Sequence, residues 1–92
     1  MGATGTAILD FGSAPGTNFV TTTVTGQGSI LSGSNVEAFM MADSTATHNS
    51  YEHSIVPFVL RCGNIVAGTG FDILASSELR LTGTFSVRWV WV

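Results

Sequence analysis

The last nine residues, Thr84-Phe85-Ser86-Val87-Arg88-Trp89-Val90-Trp91-Val92, leave little choice of local structure. Phe85, Val87, Trp89 and Trp91 alternate with Ser86, Arg88, Val90 and Val92, and a period of two places each set on its own face of an extended strand. The run is the most hydrophobic in the chain, and no polar tail follows it. Terminal residues ordinarily bury too little surface to offset their ordering entropy. This strand is therefore expected to be central or at an interface, with the Phe85 face in the core and Arg88, Val90 and Val92 against a neighbouring subunit.

Extended signals recur upstream. The run "TAILDF" closes at Gly12, Pro15 and Gly16, which supply turn chemistry. Val20, Thr22 and Val24 then alternate with Phe19, Thr21, Thr23 and Thr25, and the consecutive threonines are β-branched and favour a pleated surface. "QGSILSGSN" reads as a loop, or as a weak strand interrupted at Gly33. Val36, Ala38 and Met40 oppose Glu37, Phe39 and Met41, and Phe71, Ile73 and Ala75 oppose Asp72, Leu74 and Ser76. Pro57 in "IVPFVLRC" cannot donate to a ladder and points to an edge strand or a bulge, whereas Gly63-Asn64 resembles a hairpin turn. Short strands, Gly-rich turns and no alternation of strand with helix predict an all-β chain. The expected architecture is a single antiparallel β-sandwich domain over residues 1–92, of about six to seven strands.

Composition narrows the partners. Ninety-two residues supply one modest core,. Charged residues are only 10% of the chain, against about 25% for an ordinary globular domain. There is no lysine, and Arg61, Arg80 and Arg88 cannot form a phosphate-neutralising patch, so no nucleic-acid partner is expected,. No stretch approaches the ~18 apolar residues of a membrane span, and the amino-terminal residues lack the basic and apolar regions of a signal peptide. The reading is a chain folded in the cytoplasm with no membrane partner. Cys62 lies in an apolar run with no His or Lys beside it, and reads as a small buried hydrophobe.

The one cluster of titratable side chains is "DSTATHNSYEH", with Asp43, His48, Tyr51, Glu52 and His53. This polar stretch is a long loop or a helical turn, and in a helix His48 and Glu52 would share a face. Imidazole and carboxylate suit zinc, but H-x-x-x-E-H matches neither H-E-x-x-H nor H-x-x-E-H. A nucleophilic site needs Ser or Cys within reach of an oriented His, and Gly12-Ser13-Ala14-Pro15-Gly16 puts Ala14 where the nucleophile belongs. No metal, cofactor or catalytic residue is expected, and the chain is not read as an enzyme. His48, Tyr51, Glu52 and His53 are the candidates for a loop that meets a ligand or a neighbour, with Tyr51 the aromatic best placed to face it.

Gly70-Phe71, a polar connection and a last strand with Val87-x-Trp89 resemble the closing portion of the H-type lectin domain. That likeness implies a six-stranded antiparallel sandwich, H-type lectin-like or jelly-roll-like, which assembles as a trimer and binds glycans on a composite surface. In texture, and in phrases such as "DFGSAPGTN" and "GNIVAGTGF", the chain is also similar to small virion proteins of tailed bacteriophages. This second likeness implies a structural role in the virion, as a head decoration, neck or tail fibre protein. Its partners would be copies of itself, with a trimer favoured, and other virion proteins.

Overall fold

The computed structural model describes residues 2–92, which form strands β1 (Ala3–Asp10), β2 (Thr17–Val24), β3 (Val36–Phe39), helix α1 (Ser50–Ile55), β4 (Phe58–Val66), β5 (Gly70–Leu81) and β6 (Thr84–Trp91). They make two antiparallel three-stranded sheets, ordered β1-β6-β3 and β2-β5-β4. The sheets meet along both sides. On one side the Thr22 hydroxyl of β2 donates to the Ile8 carbonyl of β1 at 2.9 Å. On the other, β3 and β4 lie against each other, and the half-buried Cys62 of β4 packs against the core.

The alternation of the last strand is realised fully. Phe85, Val87, Trp89 and Trp91 are buried, and β6 is the central strand of its sheet. Phe71, Ile73 and Ala75 of β5, the central strand of the other sheet, are buried as well and belong to the same core cluster. Two central strands thus present their apolar faces to one core, where burial contributes roughly 25 cal/mol per Å² of apolar surface. Phe71 meets the Trp89 indole edge-on at 5.4 Å between centroids, an arrangement that suits the ring quadrupoles.

Accommodating Trp89 requires a gap in the neighbouring strand. Gly5 pairs with Trp89 across the β1–β6 ladder, and a Cβ there would lie 2.5 and 2.8 Å from indole carbons. The indole N–H donates to the Thr6 carbonyl at 3.3 Å. At the far end Trp91 donates to the Gln27 side chain at 2.9 Å, and the backbone of Val92 pairs with Asn35 in both directions at 2.9 Å.

Three expectations change in detail. Gly63-Asn64 is a bulge within β4, with Asn64 at φ 52, and the hairpin turn lies at Val66–Thr69 around Gly68. Asn64 tolerates this backbone because its short amide finds a partner, donating to Asp72 at 3.0 Å,. The Gln27–Asn35 segment is a loop, yet Ile30 in it is 1% exposed and joins the core cluster. The Val36–Met41 alternation ends as a strand at Phe39, although Met40 still packs against the core. Pro57 sits immediately before β4, an edge strand, where its missing N–H breaks no ladder bond,.

Gly5→Ala tests the fit of Trp89. The added methyl must displace the indole or the strand, and the expected loss is about 1–3 kcal/mol of unfolding free energy, measured by urea denaturation followed through tryptophan fluorescence.

Candidate functional site: the side-chain edge of β6

A central strand has two edges of backbone groups to satisfy. β1 lines one edge of β6 along its whole length, from Ala3 opposite Trp91 to Asp10 opposite Thr84. β3 has four residues and covers the other edge only from Trp91 to Arg88. Beyond Arg88, side chains from the segment between β3 and α1, and from α1 itself, take over from a strand. Thr47 Oγ1 accepts the Thr84 N–H at 2.9 Å, and Thr45 Oγ1 donates to the Thr84 carbonyl at 2.8 Å. His53 Nε2 accepts the Ser86 N–H at 2.9 Å, and His48 Nε2 donates to the Thr82 carbonyl at 2.6 Å.

Local sequence sets these groups in place. Asn49 caps α1, accepting the Glu52 N–H at 2.9 Å while Glu52 accepts the Asn49 N–H at 2.8 Å, a reciprocal capping box,. The helix stops at Val56, whose extended backbone precedes Pro57, as the crowding of a proline ring requires. Six residues are too few for a helix to persist alone,. It is held by His53, 1% exposed, whose Nδ1–H donates to the Asn49 carbonyl at 3.0 Å. With Nδ1 donating and Nε2 accepting, the imidazole carries its single proton on Nδ1.

The aromatic rings tie this edge to the core. His48 stacks on Phe85 at 4.0 Å and 14°, and Phe85 meets Phe11 and Phe58 edge-on at 5.8 and 5.6 Å. Gly83, at φ 77, lies so close beneath the segment that a Cβ would sit 2.7 Å from Thr47 Oγ1 and 3.0 Å from His48 Nε2. His48 Nδ1 is buried without a hydrogen-bond partner and lies 3.5 Å from Glu52 Oε2.

The structure thus divides the residues that the sequence grouped. Tyr51 is 69% exposed and Glu52 is partly exposed, but His53 is turned into the protein, against the expectation of a ligand-facing loop. Both His53 nitrogens and one of His48 are engaged by backbone atoms, so His53 has no lone pair to offer a metal or a substrate. Among the described residues, no three His, Cys, Asp or Glu side chains gather into a group that could hold a metal. Burial pushes the Cys62 thiol above its ordinary range, keeping it protonated near neutral pH,. Thr45, Thr47 and Gly83 are the members that the sequence reading did not single out. The T-x-T spacing, which sets two hydroxyls on one side of an extended segment, was the available signal.

Of the residues expected at a neighbouring subunit, Arg88 is engaged within the chain, gripping Asp43 through two bonds of 3.0 and 2.7 Å. Val90 is half-buried and Val92 is 70% exposed. The Arg88 hydrogen bond holds the Asp43 carboxyl below its ordinary range, and the Asn49 N–H does the same for Glu52. Compared with protein-family models, curated proteins and solved structures, the chain has no match.

Replacing His53 by Phe keeps a ring in the space but leaves the Ser86 N–H without an acceptor. The expected cost is about 1–3 kcal/mol in chemical denaturation; a neutral variant would show that the bond contributes nothing. Depressed carboxyl values also fix a pH dependence. Asp43 and Glu52 contribute stability that is fully present above the ordinary carboxyl range of about 4 and is lost as pH falls through their lowered values. Thermal melts of Asp43→Asn should accordingly lose less stability than the parent between neutral and acid pH.

Proposed function

We propose that this chain is a non-enzymatic structural subunit of a tailed-bacteriophage particle. In this reading it is a β-sandwich, H-type lectin-like or jelly-roll-like in build, that associates with copies of itself and docks on other virion proteins. The observation that carries the reading is the apolar surface left on both sheets. Ile8 in the first sheet and Phe19 and Val59 in the second are 49%, 53% and 49% exposed, and Val92, just past β6, is 70% exposed. A chain with so few charges does little to keep such surfaces apart, and extended apolar patches mark contact sites. The occupation of the imidazoles by backbone supports a structural role, as does the single core fed by both sheets. The virion assignment rests on the likeness of texture to small phage proteins.

Sedimentation velocity of the full chain across a concentration series tests self-association. An assembly larger than one chain is expected, and a monomer at every concentration would count heavily against the reading. Exposed Tyr51 favours glycan recognition as a second reading. Binding to a glycan array that Tyr51→Ala abolishes would support it, and silence across the array would remove it.

A further inference from the structure

The outward face of the β2-β5-β4 sheet combines apolar side chains with charges that no neighbour in the chain neutralises. Phe19, Ser76 and Val59 form one row across the three strands, and Thr21, Leu74 and Arg61 form the next. On the other side of the Ser76 row, Glu78 lines an open groove with Pro57, Val59, Ser76 and Leu79. Phe19, Val59 and Leu79 are 53%, 49% and 63% exposed. Neither Arg61 nor Glu78 belongs to an ion pair among the described residues, and Arg61 hydrogen-bonds only to the adjacent Leu60 carbonyl.

We infer that this face is a two-fold contact between copies of the chain, centred on the Ser76 row. The inference rests on the self-association reading and names its surface. Charge layout selects the occupant. Arg61 lies one row to one side of Ser76, about 6.8 Å along the strand, and Glu78 follows on the other side, just past the Phe58–Ser77 pair and where the β2–β5 register shifts. A two-fold axis lying across the strands at Ser76 exchanges those two sides while keeping each strand over its own counterpart, so that Arg61 on β4 of each copy comes diagonally beside Glu78 on β5 of the other, within reach of its long side chain. Phe19 and Val59 then meet their own counterparts, and the small Ser76 at the centre allows close approach. An isologous interface requires this self-complementarity. The other sheet lacks it. There Arg88 is already paired with Asp43, and Asp10 and Glu37 remain as like charges that stacking would bring together.

Charge exchange tests the contact on the full chain. Sedimentation velocity of the parent should show a dimer, and raised salt should weaken it. Arg61→Glu and Glu78→Arg should each raise the dimer dissociation constant about tenfold or more, and the double exchange R61E/E78R should restore it. Circular dichroism confirms that each variant folds, which these exposed positions permit. An assembly that both single exchanges leave intact, or one of three chains, overturns this surface while leaving self-association standing. A parent that stays monomeric overturns both.

Discussion

A strand in the middle of a sheet must find hydrogen-bond partners along both edges, and in this protein β6 finds a backbone partner along only one and a half of them. Everything around its lower half follows from that shortage. Two threonine hydroxyls and the His53 imidazole stand where the N–H and C=O groups of a longer β3 would have been, and His48 holds the Thr82 carbonyl just before the strand. Because side chains must reach in from a distance, their backbone has to be anchored, and the capping box of α1 and the stack of His48 on Phe85 provide the anchor. Gly83 follows in turn, since no side chain fits beneath Thr47 and His48.

The two ends of β6 thus join the core in different ways. At the Trp91 end the contacts are those of a ladder, completed by Asn35, with a tryptophan hydrogen-bonded to Gln27. At the Phe85 end an aromatic cluster of Phe11, Phe58, Phe85 and the two imidazoles does the packing. Neither arrangement uses the exposed apolar side chains on the outward faces of the sheets. Apolar side chains there serve no internal purpose that the fold reveals, which is why the proposed role is one of contact between proteins.

Alternation made most of the strands legible. The inward sets Phe85-Val87-Trp89-Trp91 and Phe71-Ile73-Ala75 were readable because a period of two is a property of the residues themselves. What alternation cannot show is which strands pair, or for how far. Gly63-Asn64 has the composition of a turn, and only its placement opposite Asp72 makes it a bulge. Ile30 carries no periodic signal, being one of two adjacent apolar residues in a loop, of which it is buried and Leu31 is exposed. His53 misled for a related reason. Among polar neighbours it reads as solvated, and its inward turn depends on an unpaired Ser86 N–H contributed by a strand more than thirty positions away.

The side-chain edge also changes what sequence variation can do here. A ladder is built from atoms that every residue possesses, so a strand can change most of its side chains and keep its pairing. The lower edge of β6 is built from particular functional groups, each supplied by one residue, and each replacement deletes one bond while sparing the others. The stretch from Thr45 to His53 has the composition of a freely varying loop, yet its bonds tolerate substitution less than those of the strands it adjoins. In this protein the information that specifies part of a β-sheet is stored outside any strand.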